Sequence, residues 1–137
     1  DHDGMKMFTK AYGDRIQIIG DDYLVTNAQK INNSASQGIC NAALIKVNQA
    51  GTVSEALNAL EAAKKAGWGT IISARSGETE DVTLTHLAVG FDAGQLKVGS
   101  FSRSERMAKW NEGLRIAEQM GTAVNYIGRN ALSGKIG

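Results

Sequence analysis

The chain has 137 residues, 42% hydrophobic and 21% charged, enough for one domain with a modest core. Its 15 basic and 14 acidic residues leave a formal net charge of +1, so it lacks the electrostatic footprint of a nucleic-acid or membrane-surface partner. The single cysteine, Cys40, forms no internal disulfide, and no run approaches the roughly 20 apolar residues of a membrane span. These features predict a reduced, cytoplasmic setting. The opening "DHDGMKMF" is acidic and mixed, and it lacks the basic flank and apolar run of a targeting signal. It also lacks an initiator methionine, so a fragment of a longer protein is expected.

In chain order, "RIQIIGD" (Arg15 to Asp21) reads as the first strand, and "TNAQKINNSASQG" as a short helix after it. "AALIKVN" (Ala42 to Asn48) is the second strand. "TVSEALNALEAAKKAG" follows as a helix, with Thr52 and Glu55 at capping-box spacing and Gly67 as its stop. Its apolar positions Val53, Ala56, Leu57, Leu60 and Ala63 keep the helical period. "GTIISAR" (Gly69 to Arg75) is the third strand and "TEDVTLTHLAVGFDAG" a helix. "GQLKVGS" (Gly94 to Ser100) is the fourth strand, and "SRSERMAKWNEGLRIAEQMG" a helix starting near Ser102 and Glu105 and ending at Gly121.

Strand and helix alternate at about 25 to 30 residues per unit, which predicts parallel strands joined by right-handed crossovers. Four units make either a small open α/β sheet or half of a (β/α)8 barrel of about 250 residues. The abrupt start favours the half barrel. In both architectures ligands bind beyond the carboxyl ends of the strands. There the sequence places Asp21 and Asp22, then Lys46 and Asn48, then Ser73, Arg75 and Ser76, and then Lys97. Strand parity puts Leu44, Lys46 and Asn48 on one face, and Gln95, Lys97 and Gly99 on one face.

Each lysine alone reads as a surface side chain, and Asp21 alone as a turn or cap residue. Repeated at four strand exits, they converge on a site for a phosphorylated or carboxylated anion with a divalent cation beside it. Asp21 would offer that cation one oxygen. Lys46, buried and flanked by Arg75 and Lys97, is expected to have a lowered pKa and to serve as a general base. The acids Glu78, Glu80 and Asp81 read as first-turn residues facing the helix dipole. His86 reads as part of a solvated helix face, Cys40 as a small core residue, Trp68 and Trp110 as packing residues, and "SRSERMAKW" as a solvated helix with paired charges. These readings give an anion site with a base and no named reaction.

The blocks "GDDYLVTN", "ALIKVNQAGTVSEAL", "GWGTIISARSGETED" and "GQLKVGSFSRSERMAKWNEGLRI" closely resemble successive blocks of the enolase family, in order from about Arg15 to Gly121. The resemblance implies that residues 1–137 are four consecutive βα units forming the C-terminal half of an enolase-type TIM barrel, with the N-terminal domain and the first half of the barrel absent. It implies a phosphopyruvate hydratase of glycolysis, a carbon–oxygen hydro-lyase dehydrating 2-phosphoglycerate to phosphoenolpyruvate with Mg²⁺. The implied roles are Lys46 for proton abstraction, Arg75 and Ser76 for the phosphate, Lys97 for the carboxylate, and Asp21 as a metal ligand. A homo-oligomer is implied for the full-length parent. Ala74 stands where the family has histidine, and the other metal carboxylates have no counterpart in these residues, so the isolated chain is expected to be inactive. Two alternatives are an enolase-like hydro-lyase with a shifted substrate and a non-catalytic half-barrel that binds anions.

Overall fold

A computed structural model describes residues 1–134; the last residues of the expected domain, 135–137, lie outside the described residues. Four strands, β1 (Ile19–Gly20), β2 (Ala42–Ile45), β3 (Gly69–Ser73) and β4 (Gly94–Lys97), pair in parallel in the order β1-β2-β3-β4. The register sets Ile19 beside Ala42 and Ala42 beside Gly69, and further along sets Leu44 beside Ile71 and Ile71 beside Gln95. A doubly wound sheet reverses its strand order and carries helices on both faces. Here the order never reverses, and right-handed crossovers then leave the helices that connect the strands on one face. The arrangement is half of a TIM barrel.

The helices are α1 (His2–Tyr12), α2 (Ala28–Gln37), α3 (Val47–Ala50), α4 (Val53–Lys65), α5 (Thr83–Gly90) and α6 (Ser104–Met120). The main core lies between the outer sheet face and α2, α4 and α5. Ala43, Ile45 and Ile72 from the strands meet Leu24, Ile31, Ala56, Ala59, Leu60 and Ala63 there. Strand alternation sends Ala42, Leu44 and Ile71 to the inner face, where they form a second, smaller cluster. Helix α4 starts as its capping box predicts: Thr52 Oγ1 accepts from the Glu55 N–H at 3.1 Å and donates to Glu55 Oε2 at 2.8 Å. Gly67, at φ 72°, ends the turn after it. Val53, counted on the apolar stripe, is exposed, and Ala59 and Ala62 are buried instead.

Helix α1 has no counterpart among the predicted elements. Asp1 caps it by accepting from the Gly4 N–H, and the helix buries none of its residues. The first strand is also shorter than expected. The Arg15 and Ile16 N–H groups turn back to the Tyr12 carbonyl, and the Ile18 N–H is taken by Asn41 Oδ1 at 2.6 Å, so only Ile19 and Gly20 join the ladder.

The second strand stops at Ile45 rather than Asn48. Thr26 Oγ1 takes the Lys46 N–H at 3.0 Å, and the Lys46 carbonyl accepts from Gln49 and Ala50, which begins α3. Lys46 is therefore the N-cap of a short helix, and the parity that joined Asn48 to Leu44 ends there. Val25 and Thr26 sit at φ 47° and 52°, a costly conformation for β-branched residues. Burial of Thr26 and its second hydrogen bond, to Gln49 Oε1 at 2.8 Å, help hold it.

The N-terminal ends of the strands are closed on the inner face by a polar knot. The amides of Gln17 and Gln95 bond each other reciprocally at 2.9 Å. The terminal segment adds the Ala131 carbonyl on Gln95 Nε2 and the Ser133 N–H and hydroxyl on Gln17 Oε1. Gly69 makes room for the knot, since a Cβ there would lie 2.7 Å from Gln17 Oε1 and 2.7 Å from Ser133 Oγ.

Candidate functional site

The C-terminal ends of β1 to β4 carry every residue singled out for chemistry. The Ser73–Lys97 pair, continued from Ile45–Ile72, puts Lys46, Ser73 and Lys97 in one row across the sheet. The structure gathers the expected residues into two neighbouring groups, bridged by Asn48.

In the first group Lys46 Nζ is ion-paired with Asp21 Oδ1 and lies 3.7 Å from Asp22 Oδ1. Lys46 is 8% exposed, so its ammonium is held in a largely dry position. Its ion-pair partners are carboxylates, where the sequence had suggested the cations Arg75 and Lys97 as neighbours. Asp21 also closes the loop with its backbone, its carbonyl accepting from Leu24 and Val25. The turn role expected as the alternative for Asp21 is thus seen, and its carboxylate faces Lys46.

The second group lines a cleft of about 550 Å³ between the β3–α5 and β4–α6 loops. Ala74, Arg75, Ser76, Lys97, Arg103 and Arg106 form its walls, with Ser100 and Ser102 at its lip, and no acidic side chain faces it. Four cations and three serines surround one hollow, a lining whose charge can take an anion. Arg75 is steadied by a 2.9 Å bond from its Nη1 to Asn48 Oδ1, which ties this group to the loop after Lys46. Ala74, 8% exposed, contributes a methyl group to the wall.

Three residues that hold this cleft were missed by sequence reasoning. Glu78 is not in a first helical turn, because α5 starts only at Thr83. Instead its Oε1 accepts from the Arg75 N–H at 2.7 Å, and its Oε2 pairs with Lys109 Nζ at 2.9 Å. Lys109, read as part of a solvated helix, is fully buried and also donates to the carbonyls of Thr79 and Glu105. Arg106 donates to the carbonyls of Val98 and Ser76, at 2.9 Å each. The sequence signal was the spacing Arg106 to Lys109, two cations one turn apart on the same helix face.

The start of α6 also differs. Its N-cap is Arg103, at φ 71°, with no side-chain cap, and Ser102 is instead tied into a hydroxyl turn with Ser100. Asp81 does act near a helix start, accepting from the Thr83 N–H at 2.9 Å. His86 lies on the outer face against Glu112, and Trp110 stacks on Phe101 and donates to the Ser100 carbonyl. Burial pushes the Cys40 thiol up to about 11, so it is a neutral core group.

Burial alone would raise the Glu78 carboxyl, but the Arg75 N–H, the bond and charge of Lys109, and the charge of Arg106 outweigh it and lower its pKa from 4.5. A lowered folded-state pKa means that Glu78 stabilises the fold fully above its ordinary value, and that this contribution is lost as pH falls through the lowered one. Glu78→Gln is therefore expected to flatten the acid side of the stability curve, read from urea midpoints between about pH 3 and pH 6. An unchanged acid limb would contradict the pairing.

The donor set tests the expected Mg²⁺. Asp21 Oδ1 is a buried carboxylate oxygen, the kind of hard donor such an ion takes, but in this structure Lys46 Nζ already lies against it. Yet among the described residues no group of three or more His, Cys, Asp or Glu side chains is arranged to hold a metal. Asp21 fits one ligand position, and these residues do not make the rest of the shell.

Four parallel strands in unbroken order, with charged loops gathered at their carboxyl ends, define half of a (β/α)-barrel domain. A family model described as enolase, C-terminal TIM barrel domain, matches residues 1–135. The chain belongs to that family. Membership carries the lyase chemistry of the enolase superfamily, whose members generally bind Mg²⁺, and no particular substrate. Among the described residues no helix is long and apolar enough to cross a membrane.

Proposed function

We propose that residues 1–137 are the C-terminal half of the barrel of a glycolytic enolase, the phosphopyruvate hydratase that interconverts 2-phosphoglycerate and phosphoenolpyruvate. The observation that carries this reading is the pairing of a nearly buried lysine with an adjacent cation-lined cleft at one end of the sheet. Lys46, once its ammonium has lost a proton and let go of Asp21, removes the proton next to the substrate carboxylate as a neutral amine. Arg75 and Ser76 take the phosphate, and Lys97 takes the carboxylate, whose oxygens gain charge as the proton leaves. Asp21 would be one ligand of a Mg²⁺ ion, which when bound would supply Lewis-acid stabilisation of those oxygens. The remaining carboxylate ligands come from a segment outside these residues. The parent enzyme is cytoplasmic and homo-oligomeric.

By itself the chain offers one metal carboxylate and an inner face, Ile19, Leu44 and Ile71, that opens onto a hollow of about 410 Å³. The isolated chain is therefore expected to show no turnover of 2-phosphoglycerate with Mg²⁺, as read by phosphoenolpyruvate formation. Turnover by the purified chain would overturn its assignment as an incomplete half.

Ala74 favours a second reading, a hydro-lyase of the same type acting on a related acid. The methyl group in the cleft wall cannot donate the hydrogen bond that a histidine would make. In a polypeptide carrying the complete barrel, Ala74→His is expected to raise turnover of 2-phosphoglycerate if the enzyme is a weakened enolase. A fall in turnover would instead favour the shifted substrate.

A further inference from the structure

Arg106 joins the two loops that form the anion cleft. Its Nη1 donates to the carbonyl of Val98, the residue after Lys97, and its Nη2 to the carbonyl of Ser76, the residue after Arg75. A guanidinium is a rigid planar fork, so two carbonyls bound to its two ends are held at one separation. Both terminal nitrogens are already engaged with backbone. Arg106 is thus a brace between the two arms of the cleft. One turn later Lys109 fixes the same β3–α5 loop from behind, through the Thr79 carbonyl and Glu78.

We propose that Arg106 is a positioning residue that sets the spacing between the Arg75–Ser76 arm and the Lys97 arm. The cleft then selects ligands carrying two anionic groups on one short carbon frame over a lone phosphate. This rests on reading the cleft as a site for a phosphate and a carboxylate. A ligand that reaches both arms gains its second contact at little further orientational cost, but only while the arms keep the matching distance. A lone phosphate uses one arm and is indifferent to that distance.

The test titrates the purified chain with inorganic phosphate and, separately, with phosphoenolpyruvate, following the backbone amide signals of Ser76 and Lys97. The wild type is expected to bind phosphoenolpyruvate more tightly than phosphate. Arg106→Lys keeps the charge and loses the rigid fork. It is expected to weaken phosphoenolpyruvate by about tenfold while phosphate stays within about threefold. Arg106→Gln, whose one amide nitrogen is shorter in reach and cannot replace the two ends of the fork, is carried in parallel and is expected to erase the same preference. Melting temperatures of both variants check that the fold persists. Equal weakening of both ligands would reduce Arg106 to a general charge, and no weakening of either would remove it from the site; each overturns the proposal. Arg75→Ala separates the two levels. If it leaves wild-type binding untouched, the cleft reading falls and the positioning role with it. If it abolishes binding while the Arg106 variants keep the preference, the positioning role alone falls.

Discussion

Lys109→Met is expected to lower the unfolding free energy by about 3 to 5 kcal/mol, measured from urea denaturation at neutral pH. Lys109 is fully buried, and all three protons of its ammonium are used, on Glu78 Oε2, the Thr79 carbonyl and the Glu105 carbonyl. Methionine fills much the same space but leaves Glu78, a part-buried carboxylate that keeps only the Arg75 N–H, without its ion-pair partner, and stranding that charge is what makes breaking the pair costly. For a domain stabilised by about 5 to 15 kcal/mol that loss is a large fraction of the total. The double variant Glu78→Gln/Lys109→Met removes the stranded charge and is expected to recover part of it. Equal losses in the single and double variants would show that packing, not charge, is what Lys109 contributes.

In a polypeptide carrying the complete barrel, Lys46→Ala is expected to lower kcat for 2-phosphoglycerate by about 10²- to 10⁴-fold with little change in KM, as for loss of a general base. Lys46 is 8% exposed, its backbone N–H is fixed by Thr26, and its ammonium is placed by Asp21. Removing the side chain leaves the anion cleft of Arg75, Ser76 and Lys97 in place, which is why the loss should fall on kcat. Exchange of the substrate carbon-2 proton with solvent deuterium should vanish alongside turnover. Exchange that survives in the variant would assign the base elsewhere.

Several elements were legible because their signals are local. The capping box at Thr52 and Glu55 and the glycine stop at Gly67 depend only on near neighbours, and α4 forms where they predict. The alternation of strand and helix fixed the parallel order. The choice between an open sheet and a half barrel rested on which faces the helices cover, which the continuous order β1-β2-β3-β4 decides. Helix α1 does carry a stripe at helical spacing, Met5, Phe8 and Tyr12, but it buries no residue, so the core of this half barrel does not depend on it.

That Asp21, Lys46, Arg75, Ser76 and Lys97 share one end of the sheet was legible because each ends or follows a strand, and a strand exit can be read along the chain. Glu78, Arg106 and Lys109 were not, because what defines them is contact between segments far apart in sequence. Glu78 lies 2.9 Å from Lys109, and Arg106 reaches Ser76 from the next βα unit. A glutamate before a helix looks like a dipole partner until a buried ammonium is found against it. By itself the sequence determined the family pattern, the order of strands and the residues at their ends, since periodicity, caps and strand exits are written within short windows. Only the tertiary structure decided that Lys46 meets carboxylates, that Lys109 is buried and that Arg106 braces the cleft. Charge pairing and burial depend on distances that chain order does not encode.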